Sequence, residues 1–398
     1  MPNAEGATGV LPSQHLAAAL ADGWIGGEVD EASIQPASVD LHLGPVAYRI
    51  RCSFLPGTET VERRVKAYVV DELDLTGEGA VLETQRPYLI PLQETLDLPD
   101  HIRARTNPKS STGRLDVFTR VITDGGKAFD EIAAGYTGTL WLEVVPLSFT
   151  VRVREGLALN QIRLIAGDRV ALTDDEVRAR HAEQGLLFRA DRAVAPEDFR
   201  IASGLFLGLD LEGDEVGRVG HRAKPHTALL DMGRISAYQA EDYWDPVRRE
   251  EGDRIVLAPG AFYLLLSDEA VVIPPDLAAE MTAYDPTAGE LRTHYAGFFD
   301  PGFGYDPTGL LRGSRAALEV RAHDVPFMVE HRQPVCKLTF EHMLEPPDRL
   351  YGTGIGSNYQ GQTETLGKHF RRPRPQPTKS REGPRSPDLG QLELPVES

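Results

Sequence analysis

The chain has 398 residues, room for two or three domains of about 100 to 200 residues each, and its 41% hydrophobic, 26% charged and 7% aromatic content is that of an ordinary globular protein. A coiled coil, a collagenous chain and wholesale disorder are excluded. With 42 basic against 60 acidic side chains the net charge is −18. Such a surface repels a duplex phosphate backbone, so nucleic acid is not an expected partner, whereas a small anion needs only a local cluster of cations and N–H groups. No apolar run approaches about 18 residues and the first residues lack a basic, apolar leader pattern; the expectation is no membrane partner and a cytoplasmic location. Cys52 and Cys336 are too far apart in sequence to form a C-x-x-C pair, and both read as buried small hydrophobes.

In chain order, Ser13 is placed to N-cap a helix from Gln14 to Ala21, where Leu16, Ala17 and Leu20 recur at helical spacing and Asp22-Gly23 ends the run. From Ser33 to about Leu164 the pattern changes to short alternating or apolar runs broken by Pro and Gly, at 47–50, 68–70, 88–92, 117–122, 139–145, 151–153 and 161–165. Many short strands with few helices predict an all-β barrel or sandwich. A second helical stretch, Asp174 to about Gln184, precedes the polar segment Ala190 to Asp198, and together they read as a connection. Strand-like runs resume after Gly204 and continue to about Phe340. The closing 28 residues, Arg371 to Ser398, include six prolines and read as a disordered tail.

The two strand-rich regions look like copies of each other. Val81 to Pro99 matches Val256 to Pro274 at six of 19 positions with a shift of 175, and Thr139 to Leu164 aligns with Arg315 to Phe340 at a shift of 176, sharing Leu-Glu-Val at 142–144 and 318–320. Nearly equal offsets found twice predict a tandem duplication. The boundaries expected are 1–170 for the first domain, 171–203 for the connection, 204–370 for the second domain and 371–398 for the tail.

Two places could carry chemistry. Asn107 to Leu115 (NPKSSTGRL) concentrates Lys, Ser, Thr, Gly and Arg, residue types that bind anions, although a polar turn on a solvated edge has the same composition. It is not a Walker loop. Glu143 lies in the apolar run TLWLEVV, where alternation sets it on the face of Trp141 and Val145. Burial would raise its pKa toward the range useful for moving protons; exposure on an amphipathic strand is the alternative. Glu319 holds the equivalent place in the second copy, which has Tyr284-Asp285-Pro286-Thr287 instead of a basic Ser-rich loop, so Glu319 is expected to be structural or a remnant. His181-Ala182-Glu183 is half of a zinc-deaminase pattern without the cysteine pair that completes it, and it reads as solvated helix surface.

Ile34 to Gly44 (IQPASVDLHLG), Lys109 to Leu115 (KSSTGRL), the Leu142-Glu143 strand and Tyr351 to Gln362 (YGTGIGSNYQGQ) resemble, in order, the motifs of dCTP deaminase, a member of the dUTPase-like superfamily. The second domain resembles that family through His294 to Gly302 and Leu318-Glu319. The resemblance implies a mainly β fold of two tandem dUTPase-like distorted β-barrels with a few short helices, sites between subunits of a homotrimer, and zinc-free hydrolysis of dCTP to dUTP and ammonia, which supplies dUMP for thymidylate synthesis, with Mg2+ carried on the triphosphate. It implies Glu143 as the carboxylate that activates water, Ser110 and Arg114 beside the reacting base, and Lys109 and Ser111 near the phosphates. Asp40, Gln161, Tyr351 and Gln362 also match family positions, Asn358 stands where a Lys is usual, and Asp300 in Phe299-Asp300-Pro301-Gly302 is the expected sugar contact. dUTP or dTTP are further ligands the resemblance allows. The rival readings are a dUTP diphosphatase or bifunctional enzyme, and a nucleotide-sensing regulator without turnover.

Overall fold

The computed structural model describes residues 8–27, 29–214, 216–283, 291–293, 297–308, 312–322, 324–352 and 365–371. Strands dominate, and they are built twice to one plan. In the first half, one sheet runs in the order Val39–His42, Ala158–Ala166, Ile102–Pro108, Glu131–Ile132; in the second half the order is Leu205–Gly208, Pro334–His342, Leu277–Ala283, Phe298–Phe299. The other sheet runs Val69–Asp74, Val46–Ile50, Tyr88–Asp97, Thr137–Pro146, Val117–Thr123, and its counterpart Trp244–Arg248, Arg218–Ala223, Phe262–Val271, Ser314–Ala322, Leu291–Thr293. Partner matches partner along both lists, which is the topology a duplication leaves behind. Glu143 pairs with Leu89 across one strand boundary, and Glu319 pairs with Leu264 across the equivalent one.

Alternation along these strands fills two cores. Leu140, Leu142 and Val144 are buried on one face of their strand, and Ala316, Leu318 and Val320 repeat the pattern in the second half. The cores are not independent. Leu230, Met232, Tyr243, Trp244, Phe262 and Phe370 of the second half join the first core, where Phe149 packs edge-on against Trp244 with ring centroids 5.2 Å apart. Each large side chain buried this way contributes about 1.5–3 kcal/mol, so the contact between halves is part of the fold. The strand Val151–Val153 also pairs in parallel with Leu230–Asp231.

Helices are few. The helix Ser13–Ala21 starts one residue earlier than the sequence implies: Pro12 occupies the N-cap position and Ser13 is the first helical residue. A proline's fixed φ and missing N–H suit it to a helix start. The helix Asp174–Gln184 has the predicted bounds and carries a capping box between Thr173 and Glu176. A short helix, Val61–Val65, was not expected; Val61 and Val65 lie on the outside of the sheet with Ile50, Leu89, Ile122 and Trp141. No helix among the described residues is long and apolar enough to cross a membrane. Cys336 is buried as expected, but Cys52 is exposed on the turn after Val46–Ile50. His181 is buried instead of solvated, stacked on Phe199 at 4.2 Å and within 2.8 Å of the Val194 carbonyl through Nε2.

Candidate active site at the junction of the two halves

The Ser-rich loop is a single helical turn. Lys109 is its N-cap, donating through its backbone N–H to the Leu159 carbonyl at 3.0 Å and accepting from Thr112 N at 2.8 Å; Ser110–Gly113 are helical, and Thr112 Oγ1 donates to the Leu159 carbonyl at 2.8 Å. That bond anchors the turn to the neighbouring strand. Ser111, Thr112, Gly113 and Arg114 are buried while Ser110 is exposed, so the turn is a built feature facing the second half and not a solvated edge. Arg114 Nη1 donates to the Thr365 carbonyl at 3.1 Å, and the Thr365 hydroxyl lies 2.9 Å from His221 Nδ1.

The carboxylate that meets this turn is Glu319. A methyl group added to Gly113 would stand 2.9 Å from Glu319 Oε1, so the glycine is what allows the close approach. Glu319 is buried, and its carboxylate has no hydrogen bond or ion pair among the described residues. Burial pushes its pKa up to about 8, the Arg114 charge opposes the rise and Asp116 adds to it. Two residues along, on the same face of the strand, Arg321 pairs with Asp116 of the first half and holds the strand against the turn.

Glu143 is elsewhere. It is buried as its apolar neighbours imply, but Ser53 Oγ donates to Oε2 at 2.5 Å and Arg120 Nη2 lies 3.3 Å from Oε1, with Arg120 itself stacked 3.6 Å over the Phe129 ring. No partner of Glu143 comes from 109–114. Within one chain, then, Glu143 does not meet Ser110 and Arg114: the turn of the first half faces the strand of the second. The register shows the same division of labour. Ile132 pairs with Ala104 and Phe299 with Ala279, a matching pair of positions, so Ala133 is the counterpart of Asp300. The first half keeps the basic turn and has lost the Asp; the second half keeps Asp and Glu and has lost the basic turn. That complementary loss was the available signal for Glu319, and it is legible only when the two halves are read as parts of one site.

Around this pair lie most of the remaining candidates. Lys109 Nζ pairs with Asp40, whose strand partner is Gln161, and Gln161 Oε1 accepts from Ser38 Oγ at 3.1 Å. Asp300 is buried, and burial raises its pKa while Arg163 counters the rise; Asp40 and Lys109 are near enough to act on it too. Tyr351 N donates to the Pro301 carbonyl at 2.9 Å, and the Tyr351 ring is 5.6 Å from Phe303, which places it on the Asp300 turn. Asn358 and Gln362 lie outside the described residues.

Sequence reasoning missed Arg163. It is fully buried, donates to Asp300 Oδ1 at 3.2 Å, to Glu341 Oε2 at 3.1 Å and to the Ala279 carbonyl at 3.3 Å, and sits 4.0 Å over the Phe298 ring. Arg105 extends the network to Glu280 and Glu341, and Asn107 Nδ2 donates to Glu280 at 2.7 Å. Every one of these bonds crosses from the first half to the second. Among the described residues, one group of three metal-ligand types, Asp210, Asp268 and His331, lies apart from this site, and Arg315, Arg189 and Arg332 already pair with its carboxylates.

Residues 7–168 match the family described as 2'-deoxycytidine 5'-triphosphate deaminase (DCD) N-terminal domain, and residues 173–370 match its C-terminal domain. A dCTP deaminase of Natronomonas pharaonis is 35% identical over 131 residues, 32% of this chain and 63% of the relative; the first relatives are thus matched over less than two thirds of their own length. A "dCTP deaminase, dUMP-forming" of Methanothermobacter thermautotrophicus is 32% identical over 203 residues, 49% of this chain and 91% of the relative. The crystal structure of 2'-deoxycytidine 5'-triphosphate deaminase from Agrobacterium tumefaciens is 45% identical, with a TM-score of 0.79 over 86% of this chain and 100% of that one.

Proposed function

The chain belongs to the 2'-deoxycytidine 5'-triphosphate deaminase family, and from that premise we propose that it hydrolyses dCTP to dUTP and ammonia at a site shared between its two halves. The observation that carries this reading is the unpartnered, buried Glu319 carboxylate set against the Lys109 to Arg114 turn. Water added to C4 of the cytosine ring must give up both its protons in turn, one to N3 and one to the leaving amine. A single carboxylate of raised pKa can take the first from the attacking water and pass it to N3, then take the second from the C4 hydroxyl and pass it to the amine, giving a carbonyl at C4 and releasing ammonia. Glu319 is that base in our reading, and Glu143, engaged by Ser53 and Arg120, is not.

The neighbours have matching tasks. The exposed Ser110 hydroxyl can orient the attacking water, and Arg114, fixed by the Thr365 carbonyl, can offset charge that builds on the ring as water adds. In this reading Lys109 and Ser111 serve the phosphates, Asp300 the sugar and Tyr351 the substrate beside the Asp300 turn, and substrate contacts are proposed for Asn358 and Gln362 on the family resemblance alone; Asp40 holds Lys109 in place and Gln161 holds Asp40's strand. Magnesium enters with the triphosphate and supplies charge neutralisation there; no zinc is required by this chemistry. Each half is read as a dUTPase-like distorted barrel, and two barrels per chain first fill rings of three when three chains assemble, so a homotrimer is proposed. A cytoplasmic location suits a nucleotide substrate.

The test is direct. Purified protein with dCTP and magnesium should release ammonia and dUTP in equal amounts. Because several relatives carry the name "dCTP deaminase, dUMP-forming", product analysis should also seek dUMP and pyrophosphate, which would mark a bifunctional enzyme. No ammonia from dCTP would defeat the proposal.

A further inference from the structure

We infer that Lys368 is a phosphate-binding residue of this site, a second cation that joins Lys109 in gripping the triphosphate; the inference rests on the deaminase reading above. Its place is set by contacts on both sides. Arg114 donates to the Thr365 carbonyl, and a methyl group on Gly367 would lie 3.7 Å from Arg114 Cβ, so residues 365–368 run across the basic turn. On the far side Ser236 N donates to the Lys368 carbonyl, Ala237 N to that of His369, and Arg371 N to that of Tyr238, each at 2.9 Å. Phe370 is buried among Tyr238, Tyr243 and Trp244, with ring centroids 6.5, 5.6 and 6.0 Å away. Lys368 therefore stands on an anchored segment, and its side chain starts from a fixed point.

Its charge has no bonded partner. The Lys368 ammonium has no hydrogen bond or ion pair among the described residues, although the residue is half-buried. Burial and the like charge of Lys109 push it below the ordinary lysine range, and Asp40, already bonded to Lys109, opposes that only in part. Two ammonium groups near one carboxylate leave an excess of positive charge in a partly desolvated place. A polyanion restores the balance, and charge-assisted contacts to phosphate oxygens use the donors that protein groups leave free.

The experiment compares K368M and K368R with the wild-type chain by steady-state kinetics on dCTP and by calorimetric titration with inorganic triphosphate. In K368M, KM for dCTP and Kd for triphosphate should both rise about 10- to 100-fold, the scale of one lost charge-assisted contact, while kcat falls far less. K368R should recover most of the affinity. Unchanged KM and Kd in K368M overturn the assignment, as does a fall in kcat and Tm with affinity retained, which would make Lys368 a structural residue. Wild-type protein that binds triphosphate with this dependence on Lys368 but releases no ammonia from dCTP would uphold the phosphate contact and overturn the deaminase reading alone.

Discussion

Gly113 and Glu319 belong to different halves of the chain, yet a methyl group on the glycine would stand 2.9 Å from the carboxylate oxygen. Gly113 is helical and needs no glycine for its own backbone, so the residue is explained by the approach of Glu319 alone. Gly113→Ala should leave the fold intact and displace the carboxylate by several tenths of an ångström. A shift of that size at a base lowers turnover, and we expect kcat to fall about 10- to 100-fold with Tm nearly unchanged. Circular dichroism melts alongside ammonia release check both parts.

Substituting the two equivalent glutamates separates their roles. Glu319→Gln should lower kcat by about 10²- to 10⁴-fold, the usual effect of removing a general base, while dCTP still binds. Glu143→Gln loses a hydrogen bond from Ser53 and an ion pair with Arg120, so it should leave kcat within several-fold and show its cost in stability instead. Equal losses of turnover would mean that both carboxylates work.

What the sequence reveals of these residues, and what it hides, has a physical cause. Strand runs such as Thr137–Pro146 are legible because alternation and β-branched content are local properties, and the duplication is legible because both halves keep the same spacing. The turn Lys109 to Arg114 is legible for its composition. Which carboxylate faces it is a question of which sheet packs on which, and the local environments of Glu143 and Glu319 are nearly the same: an apolar strand with a Leu before and a Val after. Arg163 is harder still. A lone Arg within the strand Ala158–Ala166 looks like a solvated edge residue until the second half is placed against it.

Acidity should follow from the same burial. With Glu319 raised to about 8, a base that must be ionised to act gives kcat/KM that climbs with pH through that region. Stability runs the other way. The folded protein holds a proton that the unfolded chain releases near pH 4.5, so the stabilisation is complete below about 4.5 and is lost as pH rises toward 8. Glu319→Gln cannot ionise, and its Tm should exceed that of the wild type by a margin that widens from pH 5 to pH 8. A margin that narrows over this range would contradict the assignment.

Metal dependence provides a separate check on the chemistry. Dialysis against a zinc-selective chelator should leave dCTP turnover unchanged once magnesium is restored, because the proposed attack on C4 uses a carboxylate-bound water. Activity that returns only with zinc would replace Glu319 as the source of the nucleophile.

Arg163 should matter more to the junction than any surface ion pair. Its guanidinium is fully buried and serves Asp300 and Glu341 together, both of them buried carboxylates of the other half. Arg163→Met removes the cation and leaves the anions in place, a change that costs about 3–5 kcal/mol when a buried pair is broken from one side. Burial already raises the pKa of Asp300 and Arg163 is the first influence opposing it, so without the arginine Asp300 will hold its proton to higher pH. The deficit against wild type in urea denaturation should then shrink as pH falls, because protonation removes the charge left unpaired. Glu341 keeps Arg105 as a partner, so Asp300 is the charge left unpaired; adding Asp300→Asn to Arg163→Met should recover part of the loss, which a merely cavity-forming substitution would not allow. With Asp300 no longer held, KM for dCTP should rise in Arg163→Met even at pH values where the fold is intact, tying the junction's ion network to the sugar end of the site.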